Sequence, residues 1–217
     1  MQAHHAGVLP YPLKYLGSAG QLVLVTSRSW TGTQARLEGY ENGPRGWQPT
    51  IGPVPVRVGR TGMIPAARRI AGSGTTPAGT FPLSLALGLE PDPGTAMPYL
   101  HVTSPDQWWV GDPFSPHYDD LRSAQEGGFL PRESGRRASK LLAARPVEYA
   151  YAVVVDFNRP YPVRTRGAGV FLRVSNGLAT DGSVALERDA LLELLLWLDP
   201  ERGPVITMAP ERVAGQY

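Results

Sequence analysis

The sequence predicts a mostly β (α+β) fold with one long helix near the C-terminus. Short β-branched runs recur along the chain and are separated by turn residues. Gly 25 and Pro 22 make up more than a fifth of the 217 residues and follow no period, which suits many short strands and turns rather than a collagen-like or disordered tract. A single stretch, Leu186–Leu198, carries leucines and alanine at helical spacing.

Residues 1–20 lack periodicity and read as an N-terminal arm. Gln21–Ser27 (QLVLVTS) is a strand, and Gln34–Tyr40 alternates so as to pair with it across Trp30-Thr31-Gly32. Val54–Val58 is a third strand, which Pro55 places at an edge or strand start. Gly59–Gly74 reads as a loop rich in Gly and Arg, and Gly79–Leu87 as a strand or turn. Asp92–Arg122, dense in Pro, Trp, Tyr and Asp, reads as a long loop with aromatic anchors, of the kind that carries function when ordered. Gln125–Ser139 is polar and reads as mobile. Tyr149–Phe157 is a nearly continuous apolar run and therefore a central strand. Val170–Val174 is the next strand. The helix follows, ended by Asp199-Pro200, and Pro204–Met208 closes the fold. Residues 21–208 then form one domain, with 209–217 as a tail.

Composition excludes several classes. There is no cysteine, hence no disulfide, thiolate metal site or thiol nucleophile. A net charge of +2 is too small to imply nucleic acid. The clusters Arg57, Arg60, Arg68, Arg69 and Arg132, Arg136, Arg137, Lys140, Arg145 read first as solvated faces, and second as anion-binding surface. The longest apolar run, Ala190–Leu198, contains Glu193 and is too short to span a bilayer. The first twenty residues hold no continuous apolar core of a signal peptide, so the chain is expected to be cytoplasmic or a mature or trimmed export product. His4, His5, His101 and His117 lack ligand spacing with carboxylates, so no metal is expected. No phosphate-cradling glycine loop is present, and no cofactor is implied.

Chemistry concentrates in Gly167–Val184 (GAGVFLRVSNGLATDGSV). A strand ends at Val174 and is followed by a Ser-Asn-Gly turn and by Thr180-Asp181-Gly182-Ser183. Gly182 permits a tight backbone and close ligand approach, so Ser183 sits where a nucleophile beside backbone N–H donors would sit. An ordinary loop and helix cap fits the same residues.

Phe171-Leu172-Arg173-Val174 and Thr180–Leu186 (TDGSVAL) stand where FLHV and TAGCVAL stand in the YkuD-like L,D-transpeptidases, which the chain resembles from about residue 21 to 208. Thr76–Phe81 (TPAGTF), Trp108–Pro113 (WWVGDP) with Ser115–Tyr118 (SPHY), and Tyr151–Asn158 (YAVVVDFN) resemble further segments of that family, in the same order. The resemblance implies a β-sandwich or barrel with a C-terminal helix, a cell-envelope or secreted location, and a peptidoglycan stem peptide as ligand. In that family a Cys attacks a peptide carbonyl, an acyl-enzyme forms, an amine takes the acyl group, and a His activates the thiol and shuttles the proton.

Both chemical positions differ here. Ser183 stands for the Cys and Arg173 for the His. A guanidinium donates hydrogen bonds and does not accept protons, so a base for Ser183 must come from Asp181, His101 or His117. Arg173 at the floor of a peptide groove would instead favour a carboxylate. Thr180, Asp181 and His117 then become candidate binding residues, and Trp108, Trp109 and Tyr118 a stacking wall or simply loop packing. The leading expectation is a transpeptidase-like domain that has lost Cys/His acyl transfer and binds a peptide, a peptidoglycan fragment or a protein partner. The alternatives are a serine acyl-transferase or hydrolase with a relocated base, an engineered inactive variant, and an interaction protein whose pocket is vestigial.

Overall fold

A computed structural model describes residues 8–217. The strands are β1 (Gln21–Ser27), β2 (Gln34–Gly43), β3 (Gly46–Arg57), β4 (Met63–Pro65), β5 (Thr76–Gly88), β6 (Tyr99–His101), β7 (Gln107–Trp109), β8 (Leu121–Ser123), β9 (Lys140–Leu141), β10 (Ala152–Val155), β11 (Phe171–Val174), β12 (Val184–Leu186) and β13 (Val205–Pro210). The α-helix, α1, spans Arg188–Trp197. Strand pairing runs β10-β11-β12-β3-β2-β1-β13-β5, and β5 pairs again with β10, so the circuit closes into a mostly β barrel. Strands β4 and β6 attach to β5, and β8-β7-β9 form a separate small sheet.

Alternation along each strand divides the apolar residues between faces. Val23 and Val25 of β1, Val153 and Val155 of β10, and Leu172 and Val174 of β11 join the main core. Helix α1 adds Leu191, Leu194 and Leu195 to it, each fully buried and worth about 2 kcal/mol relative to exposure. The opposite faces are covered as well. Leu22 and Leu24 lie under Leu9, Tyr11, Leu13 and Leu16 of the N-terminal segment. Ala152, Val154 and Phe171 lie under Trp109, Leu142 and Tyr149, which the small sheet and its flanks bring across. Burial on both faces is why β1 and β10 read as continuous apolar runs.

Several expectations are corrected by packing. Leu186 belongs to β12, paired through Val174 to β11, and the helix begins only after Glu187. The strand expected at Val54–Val58 starts at Gly46. Apart from Ala185 against Arg57, β3 pairs only with β2, so Pro49, Pro53 and Pro55 remove few ladder bonds. The loop expected over residues 92–122 contains β6, β7 and β8, because Trp108 and Trp109 pair on both sides, with β8 and with β9. The segment expected to be mobile, 125–139, is tied down by the Arg137–Asp112 ion pair at 2.6 Å and by Ser139 Oγ accepting from Gly111 N–H at 3.0 Å. At the two ends, Lys14 N–H donates to the Tyr217 carbonyl at 2.5 Å and Ala214 is fully buried. His4 and His5 lie outside the described residues. No helix among the described residues is long and apolar enough to cross a membrane.

Candidate functional site

Strands β11 and β12 run parallel, with Leu172 opposite Val184, which sets the Thr180–Ser183 turn against the start of β11. Thr180 is the hub of the turn. Its hydroxyl donates to the Ser183 carbonyl at 2.5 Å and accepts from Gly182 N–H at 3.1 Å. Its backbone bonds to Val58 and Arg60 hold the turn on the barrel. Gly182 has φ 137°, and a Cβ there would lie 2.5 Å from Arg69 Nη2 and 2.9 Å from the Thr75 carbonyl, so only glycine fits.

Ser183 is 5% exposed, and its Oγ accepts from Phe171 N–H at 3.2 Å. No histidine or carboxylate among the described residues hydrogen-bonds it. Asp181 turns outward to Arg60 at 2.8 Å. His101 is exposed on β6. His117 packs beside Gly128, away from the cavity that Ser183 lines. Arg173 is half-buried on the same face of β11 as Phe171, with Nη1 donating to its neighbour's carbonyl, Val174 O, at 2.8 Å. Burial lowers its pKa from the ordinary value, while Tyr149, Glu148 and Asp181 oppose that shift, and a guanidinium stays charged regardless. It forms no ion pair among the described residues.

A cavity of about 820 Å³ joins Ser183, Arg173, Thr180 and Asp181 to Trp109 and Tyr118. Trp108 is not among its lining residues. It stands edge-on to Phe129 at 6.2 Å. Trp109 and Tyr149 stand edge-on to Phe171 at 4.9 and 5.6 Å, making an aromatic floor. Burial pushes the Tyr118 and Tyr149 phenols up to about 12, so both remain neutral donors at pH 7.

Three further residues shape the site; the sequence placed Arg69 and Lys140 only within basic clusters and did not single out Asp119. Arg69 is 5% exposed and lies beneath the turn, donating to the carbonyls of Thr75 (2.8 Å), Arg166 (2.5 Å) and Asp181 (3.4 Å), with its guanidinium over Phe157. Lys140, on β9, donates to Gly169 O at 2.7 Å and stands 5.3 Å from the Phe171 ring centre. Burial, then Arg69 and Arg173, push its pKa down to about 8, against the pull of Asp119 and Asp181. One signal was available for it: Lys140 is one of two lysines in a chain with nineteen arginines.

The third is Asp119, which fixes the approach to β11. Its Oδ1 accepts from Trp109 Nε1 at 2.8 Å and Gly169 N–H at 2.7 Å, while Oδ2 is buried without a partner. Burial raises its pKa to about 6. A carboxyl raised in the folded state contributes fully below its ordinary pKa of 3.8, and that contribution is lost as pH rises through about 6. Asp119→Asn keeps the Oδ1 contacts and is expected to gain on the wild type in thermal melts between pH 4 and pH 7.5. Asp119→Ala is expected to lose about 2–3 kcal/mol, because two buried donors lose their acceptor. Equal pH profiles for the wild type and the Asn variant would refute the raised carboxyl.

The cavity lining is electropositive. It holds six cations and three carboxylates, and two of the carboxylates, Glu133 and Asp181, are already paired to Arg145 and Arg60. The third, Glu148, accepts from Asn176 at 3.1 Å. Arg69, Lys140 and Arg173 have no carboxylate partner within ion-pair distance among the described residues. Partly dehydrated cations without ion-pair partners leave the cavity with a positive potential. Scans of protein-family models, of curated proteins and of solved structures find no match to this chain.

Proposed function

We propose that this chain is an L,D-transpeptidase-like domain of the cell envelope that binds a carboxylate-bearing peptide, such as a peptidoglycan stem peptide, without Cys/His acyl transfer. The observation that carries this reading is Arg173, a half-buried cation without a carboxylate partner among the described residues, lining the same cavity as Ser183. A guanidinium meets a carboxylate in a two-pronged geometry, and partial burial strengthens the pair. Trp109 and Tyr118 offer apolar wall to the rest of the ligand. Calorimetry with a stem peptide carrying a free C-terminal carboxylate, and with its C-terminal amide, tests this. The free acid is expected to bind, and both the amide and Arg173→Ala are expected to weaken binding by about 10- to 100-fold, the range of a charge-assisted hydrogen bond. Equal affinity for acid and amide would refute the role of Arg173.

Lys140 favours a second reading, a serine acyl-transferase. With its pKa near 8, part of its population is a free amine at neutral pH, and lysine activates serine in several unrelated hydrolases. A mass shift on Ser183 after treatment with a β-lactam or acyl probe, abolished in Lys140→Met, would support that reading. An unmodified Ser183 would leave the binding reading alone.

A further inference from the structure

We propose that the cavity takes a short acidic peptide with two carboxylates, one held by Arg173 and the other by Lys140. This rests on the binding reading above and names the ligand class more narrowly. Both cations are tethered to carbonyls at the two ends of one short segment, Lys140 to Gly169 just before β11 and Arg173 to Val174 at its end. Gly169 is left-handed (φ 64°), so the anchor points lie closer than the roughly 17 Å that the segment would span if fully extended, and both side chains line the one cavity. An extended peptide of three to four residues spans about 10–14 Å. Trp109, Tyr149 and Ser183 line the cavity together with the two cations, so the ligand's middle would lie against that aromatic wall.

The electrostatics are specific to anions at both stations. Lys140 faces Arg69 and Arg173, which repel its charge, and Asp119 and Asp181, which attract it without forming an ion pair. Asp119 is committed to Trp109 and Gly169, and Asp181 to Arg60. At the other station Glu148 and Asp181 are the nearby carboxylates, held by Asn176 and Arg60. A second carboxylate beside Lys140 would favour the ammonium and draw a proton onto the protein at mildly alkaline pH.

The test uses the full chain and three synthetic peptides: acetyl-Glu-Ala-Ala-Ala with a free C-terminus, its Gln analogue, and its C-terminal amide. Calorimetry is run at pH 7 and at pH 8.5, in buffers of different ionisation enthalpy. The diacid is expected to bind at least about tenfold more tightly than either monoacid. It is also expected to take up a proton at pH 8.5, and both effects should vanish in Lys140→Met, which keeps the apolar stem over Phe171. Lys140→Arg, checked with it for an unchanged melting temperature, should retain the diacid preference and lose the proton uptake. Binding of the free-C-terminus monoacid with no gain from the second carboxylate would overturn this inference while sparing the role of Arg173. Absence of binding by all three peptides would overturn both.

Discussion

Arg69→Ala is expected to lower the unfolding free energy by about 3 kcal/mol and the melting temperature by roughly 6–12 °C. The guanidinium serves the carbonyls of Thr75, Arg166 and Asp181, three segments distant in sequence, and each loses a donor when it is removed. A buried acceptor without a partner costs about 1–3 kcal/mol, and release of a dehydrated cation from the interior offsets part of the total. Its site cannot be filled from the neighbouring turn, because Gly182 and Gly167 approach within contact of the guanidinium. Arg69→Lys places one charge where a planar fork is needed, so it is expected to recover only part of the loss. Urea unfolding of the three proteins checks this. An alanine variant as stable as the wild type would show that water serves those carbonyls equally well.

The second large effect is expected at Phe171. Its side chain is fully buried and meets Trp109 and Tyr149 edge-on and the Lys140 amine from one side. Phe171→Ala is expected to cost about 3–5 kcal/mol, the usual toll for an aromatic removed from a filled core. Phe171→Leu, which retains most of the volume, is expected to cost under about 1.5 kcal/mol. The alanine variant opens space beneath Lys140 and rehydrates the amine, so the lysine pKa should return toward its ordinary 10.5. NMR titration of the Lys140 side chain reads this directly. An unmoved titration would mean that Arg69 and Arg173, rather than burial, hold the lysine down.

Much of the barrel was legible because strand patterning is local. Gln21–Ser27 matches β1 residue for residue, and the 3.6-residue spacing of Leu191, Leu194, Leu195 and Leu198 marks the helix. Leu186 fits the same spacing yet pairs as a strand, since three residues of β12 add a ladder against β11 that a longer helix would forgo. The short strands β7, β8 and β9 carried no usable pattern, because their stability comes from pairing with one another across intervening loops.

The site divides the same way. Ser183, Arg173, Gly182 and Thr180 stood out because a resemblance to the L,D-transpeptidases fell on one contiguous strand and turn; the residues alone fitted an ordinary loop and helix cap equally. By itself the sequence determined the strand-rich architecture and the absence of cysteine chemistry. Only the tertiary structure decided that Lys140 and Arg69 line one cavity with that turn, that His117 lies outside its lining, and that Arg69, Lys140 and Arg173 form no ion pair among the described residues. The physical reason is range. Periodicity and turn chemistry act over a few residues, whereas the burial and Coulomb terms that set a binding site sum over segments brought together only when the barrel closes.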